Sequence, residues 1–123
     1  MFLADYDLTK GMPGAPVAHL KLSVDPLRKT FTGTAQITQA LPRQYDPMEV
    51  DGSYFEQPHL GLVISVRNTE PVIPGKPEFS SLFITKNWGE AGQGWFWYFL
   101  EQTAYESGLV PATPVEVAAG VRI

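Results

Sequence analysis

Cysteine is missing from this sequence, and histidine is nearly so, with two residues in 123. Without cysteine there is no disulfide, no thiolate zinc site and no thiol nucleophile. The absence fits a reducing compartment. Clustered positive charge is missing too. Beyond the adjacent Arg28 and Lys29 no two cations stand side by side, and the net charge is −4. Phosphate backbones are held by concentrated positive charge, so nucleic acid is not an expected partner. No apolar run approaches the roughly 18 residues of a membrane helix. The opening Met-Phe-Leu-Ala-Asp-Tyr-Asp has no basic region and reaches Asp5 too soon for a secretory signal. A cytoplasmic location is expected, with secretion by a signal-independent route left open. Helical periodicity is scarce: no segment carries apolar residues at i, i+3, i+4 and i+7 over ten positions.

What is present is punctuation and alternation. Eleven Gly and eleven Pro are spread along the chain, as in a protein of short strands and turns. The length suits one domain over residues 1–123, able to bury roughly two-thirds of its unfolded surface. Phe2–Thr9 alternates and ends in the Gly11–Pro16 loop cluster. Val17–Val24 is a clean strand with Ala18, Leu20, Leu22 and Val24 on one face. After a turn begun by Asp25-Pro26, Thr30–Ala40 returns with Phe31, Gly33, Ala35 and Ile37 inward and Thr32, Thr34, Gln36 and Thr38 outward. Antiparallel pairing of Val24 with Phe31 carries on as Leu22/Gly33, Leu20/Ala35 and Ala18/Ile37, large opposite small. Gly33 marks a bend or a close approach there.

Pro42–Pro58 reads as a long connection with one short strand near Met48–Val50 or Ser53–Glu56. Leu60–Asn68 is a strand with Leu60, Leu62, Ile64 and Val66 inward. The prolines at 71, 74 and 77 mark an extended loop. Phe79–Lys86 is a strand with Leu82 and Ile84 on one face and Phe79 and Phe83 on the other. A wide hairpin, Asn87–Gly94, leads into the most hydrophobic stretch, Gly92–Tyr105, read as one strand that Ser107-Gly108 ends. Val115–Ile123 closes the chain as a terminal strand. Six to eight strands joined by hairpins predict an all-β fold, an antiparallel β-sandwich or a closed β-barrel.

The aromatic stretch does not alternate. Trp95, Trp97 and Phe99 point one way, and Phe96, Tyr98 and Leu100 point the other. A strand apolar on both faces is either covered on both or presents one as an association surface. Trp88, Trp95, Trp97, Tyr98 and Tyr105 are therefore the candidate ligand or interface residues. They suit a subunit or protein interface, where Trp and Tyr are enriched, or a platform for the apolar side of sugar rings.

Catalytic patterns are not found. His19 falls on an outer strand face and His59 in a loop, without a motif to join them. Asp46, Glu49, Asp51 and Gly52 do not match a calcium loop and read as a solvated acidic turn. Gly89, Gly92 and Gly94 fit neither phosphate-loop spacing, and read as hairpin glycines that leave room for neighbouring indoles. No serine lies in a Gly-x-Ser-x-Gly elbow. No catalytic residue, metal ligand or cofactor is assigned.

Two pieces carry a family resemblance: Gly14–Ala40, G-A-P-V-A-H-L-K-L-S-V-D-P-L-R-K-T-F-T-G-T-A-Q-I-T-Q-A, and Asn87–Tyr98, N-W-G-E-A-G-Q-G-W-F-W-Y. They resemble the DUF1842 family, small bacterial domains of unknown function. The resemblance covers about a third of the chain, and Leu41–Pro77 shows no match of its own. It implies a small bacterial β domain and brings no catalytic residues. The expectation is a non-enzymatic binding domain that associates with itself or another protein through an aromatic strand face, with a carbohydrate-binding module as the alternative.

Overall fold

The computed structural model describes residues 1–39, 45–69 and 76–116. Nine strands follow one another: β1 (Phe2–Leu8), β2 (Val17–Asp25), β3 (Thr30–Thr38), β4 (Met48–Gln57), β5 (Gly61–Asn68), β6 (Glu78–Thr85), β7 (Gly92–Leu100), β8 (Thr103–Glu106) and β9 (Val110–Val115). Each of β1 to β7 pairs antiparallel with the next, and β9 lies between β7 and β1. The result is a closed eight-stranded up-and-down barrel, with β8 as an extra strand on β7. Of the two architectures the sequence left open, the barrel is the one formed.

Alternation decides which residues fill it. Tyr6 and Leu8, Leu20 and Leu22, Phe31 and Ile37, Val50, Ile64, Phe79 and Phe83, Phe96 and Tyr98 all point inward and are buried. Eight strands enclose just the space that such side chains fill. The β2–β3 register is the one expected, from Val24↔Phe31 to Ala18↔Ile37. Gly33 is there for space: a Cβ would run into the Lys21 carbonyl. The turn before β3 is closed by Asp25 Oδ1, which accepts from the backbone of Leu27 (3.1 Å) and Arg28 (3.3 Å).

Four details depart from the sequence reading. First, the two alternatives for a short strand after Pro47 are both inside one long strand, β4. Second, Leu60 belongs to the turn before β5 and is 51% exposed, so the inner row starts at Leu62. Third, the aromatic stretch is two strands. Leu100 pairs with Thr103 across Glu101 and Gln102, whose φ angles are +50° and +68°. A two-residue hairpin of type I′ needs positive φ at both positions and normally takes Asn-Gly; Glu-Gln gives no such signal.

Fourth, the closing strand lies earlier than Val115–Ile123. β9 contains both Pro111 and Pro114, and residues 117–123 of the expected strand lie outside the described residues. From Trp97 to Gly94, β7 advances three residues while its partner advances four, from Glu106 to Val110. That extra residue is a β-bulge. Ser107 holds it: its backbone N–H donates to Phe96 O (3.0 Å), and its Oγ accepts from Phe96 N–H (2.9 Å). Gly108 follows at φ +67°.

Gln102→Gly relieves the left-handed strain in the β7–β8 turn and should stabilise the protein by about 0.5–1 kcal/mol. Leu22→Ala should cost about 2–5 kcal/mol, against roughly 0.5 kcal/mol or less for Thr32→Ala on the opposite face. Urea denaturation of the three variants checks both statements.

Candidate functional site

Each face of β7 meets a different environment. Its inner row, Phe96, Tyr98 and Leu100, is core. Phe96 stacks with Phe79 (6.5 Å between centroids) and with Tyr98 (6.3 Å), and Tyr98 stacks on Tyr105 (5.4 Å). Gln39 Nε2 donates to Tyr98 Oη at 2.6 Å. Tyr98 is thus an interior residue, and Tyr105 is half-buried against it. Gly94 leaves room for Phe83, whose Cβ and backbone a side chain there would strike, rather than for an indole.

The outer row, Trp95, Trp97 and Phe99, has no layer of the described chain behind it. Trp95 is 36% exposed, and Trp97 and Phe99 are half-buried against neighbours. Cross-strand register places Leu82 beside Trp95, Ser80 beside Trp97, Ile84 beside Val63, and Val63 beside Phe55, which is 56% exposed. Outward-facing side chains at such distances touch. One side of the barrel wall therefore carries an apolar band running from β4 to β7, interrupted by Ser53, Ser65, Ser80 and Gln93, with Arg67, Glu78 and Glu106 on its margin. The opposite side, β1–β3, is polar. There His19 Nδ1 lies 2.7 Å from Asp7 Oδ1, and His19 Nε2 lies 2.8 Å from Thr38 Oγ1. This hydrogen-bonded row crosses three strands on the outer face, where sequence periodicity had placed His19.

Trp88 does not join Trp95 and Trp97. It sits inside one mouth of the barrel, edge-on to four rings: Tyr54 (5.1 Å), Phe2 (5.9 Å), Tyr6 (6.4 Å) and Phe31 (6.4 Å). The β6–β7 loop that carries it is fastened from below. Tyr6 Oη donates to Glu90 O (2.9 Å) and accepts from Gly89 N–H (2.9 Å), while Thr85 Oγ1 lies 2.8 Å from Glu90 O. Gly89 turns the loop at φ +87°. Trp88 Nε1 is buried and is the one buried side-chain polar atom without a hydrogen-bond partner among the described residues. Leaving such a donor unmet costs about 1–3 kcal/mol. Periodicity cannot gather this ring cluster, because Phe2, Tyr6, Phe31 and Tyr54 come from three strands and meet only on closure.

The acidic group read as a turn is largely strand. Glu49, Asp51 and Gly52 lie in β4, and Asp51 pairs with Arg67 Nε at 3.4 Å. His59 is exposed in the β4–β5 turn. Among the described residues no three acidic or histidine side chains converge as a metal site.

The family model of a domain of unknown function, DUF1842, matches residues 1–103. The match takes in the middle of the chain, which the two motif segments alone did not reach. No curated protein matches the chain.

Burial raises the Tyr6 hydroxyl above its ordinary pKa of 10.0, and burial followed by the nearby Tyr45 raises that of Tyr98. Both folded values exceed the unfolded one, so their contribution to stability is complete below pH 10.0 and is lost as pH rises through the folded values. Urea midpoints should hold up to that point and fall above it. Tyr6→Phe should lower the unfolding free energy at neutral pH by about 1–3 kcal/mol for the two loop hydrogen bonds, and flatten the alkaline decline.

Proposed function

The chain belongs to the DUF1842 family, a domain of unknown function to which no reaction is attached, and we propose that it is a non-catalytic binding domain that pairs with a second copy of itself through the outer wall of β4–β7. One observation carries this reading: Phe55, Val63, Leu82, Ile84, Trp95, Trp97 and Phe99 share one side of a barrel whose other side is polar.

Barrel closure already supplies the core through the inward row, so folding does not require indoles on the outside. Large contiguous apolar patches rimmed by polar groups are a property of interaction surfaces. Trp is also enriched where interfaces are most deeply desolvated. A two-fold contact uses such a face economically, because the same patch meets itself. Another protein with a matching apolar face would use the same residues.

The carbohydrate reading has less support. Of the three indoles it would recruit, Trp88 faces the barrel mouth, which leaves Trp95 and Trp97 alone on the outer strand. Titration with a panel of sugars is expected to leave their fluorescence unchanged.

Light scattering over a range of concentrations should show the mass rising from 13.6 kDa towards twice that value. The double substitution Trp95→Ser, Trp97→Ser should weaken association about 30-fold or more while preserving the β-sheet circular dichroism. A strict monomer at every concentration overturns the self-association reading.

A further inference from the structure

The outer wall leaves the barrel mouth unexplained. Beside Trp88 the mouth holds a half-open pocket of about 220 Å³, lined by Phe2, Ala4, Asp5, Tyr6, Trp88 and Val115 among others. We propose that this mouth is a binding site for a small uncharged ring compound carrying one hydrogen-bond acceptor, which accepts a hydrogen bond from Trp88 Nε1–H.

Size, polarity and the unmet donor each limit what fits. An enclosed apolar cavity of roughly 150 Å³ accommodates benzene, and this half-open pocket of about 220 Å³ has room for a single substituted ring. The lining is mainly apolar apart from Asp5, whose carboxylate disfavours an anion, and an ionised ligand of either sign would lose hydration there. A neutral ligand follows. The indole that walls the cavity also carries the orphan donor. A polar site built around a donor discriminates strongly against an analogue that cannot accept from it.

Access and retention come from the loop. Trp88 rides on the β6–β7 hairpin, which Tyr6 and Thr85 hold by hydrogen bonds to the backbone of Gly89 and Glu90. Gly89 turns the loop at φ +87°, and no atom lies within 4 Å of where a Cβ would stand. Nε1 is shielded from solvent in the unliganded chain, so binding requires the indole to turn within its ring box. Barrel mouths are common positions for small-molecule sites.

The test is a nitrogen–proton NMR titration of the wild-type chain with three single-ring probes: acetophenone, ethylbenzene and benzoate. Trp88→Phe identifies the Trp88 indole signal, and sequential assignment does so if that variant fails to fold. Acetophenone should move the Trp88 Nε1–H signal saturably and leave those of Trp95 and Trp97 in place. Ethylbenzene, which lacks the acceptor, should bind about tenfold more weakly, and benzoate should not bind. Val115→Trp, at the exposed rim of the cavity, should weaken acetophenone binding by about tenfold or more with the spectrum otherwise intact. A Trp88 signal unmoved by acetophenone overturns the proposal. So does equal binding of ethylbenzene, or a response confined to Trp95 and Trp97.

Discussion

Closure rests on β9, which hydrogen-bonds on both sides, to β7 through Gly92–Gly94 and to β1 through Asp5–Leu8. Without it the sheet would have two open edges and its inward row would face water. The contacts on either side are short, so the strand must arrive at the right height. The bulge at Ser107 supplies that adjustment. It lets one segment leave the β7–β8 hairpin, step by one residue and cross to β1. The hydroxyl of Ser107, almost fully buried, replaces the ladder bond that the bulge removes.

Once the barrel is shut, the doubled hydrophobicity of β7 divides. Phe96, Tyr98 and Leu100 are needed inside, where they complete a stack with Phe79 and Tyr105. Trp95, Trp97 and Phe99 are not, because eight strands already enclose a filled interior. The outer row widens into a patch only because the register sets Leu82, Ile84, Val63 and Phe55 beside it. The mouth has a separate logic. Trp88 caps the barrel end from a loop held by polar bonds, and its cluster of rings is independent of the outer wall. Five aromatics that look alike in sequence thus occupy three environments: Tyr98 inside with Tyr105 half-buried against it, Trp95 and Trp97 outside, Trp88 at the mouth.

Much of this was legible from residue order. Alternation gave the β2–β3 register pair by pair, and it divided the rows of β6 and β7 correctly. The hidden parts have physical causes. Glu101-Gln102 turns a hairpin with neither Gly nor Asn, and the pull of two well-paired strands overrides that local preference. Pro111 and Pro114 read as strand breakers, yet β9 divides its pairing between two neighbours and tolerates them. The cluster around Trp88 is a product of closure, which depends on residues far apart in the chain. Whether the apolar wall was roofed could not be read from alternation at all, since both rows of β7 are equally hydrophobic.

The central claim is that the outer row of β7 is open to water in the single chain and is covered by a second chain. Adding a soluble gadolinium chelate at a concentration where the protein is monomeric, and following the three indole N–H signals, tests it directly. Strong broadening of Trp95 and Trp97, little of Trp88, and protection of the first two as the protein is concentrated is the predicted result. Protection of Trp95 and Trp97 already in the dilute monomer would contradict it, because the chain would then roof its own aromatic wall.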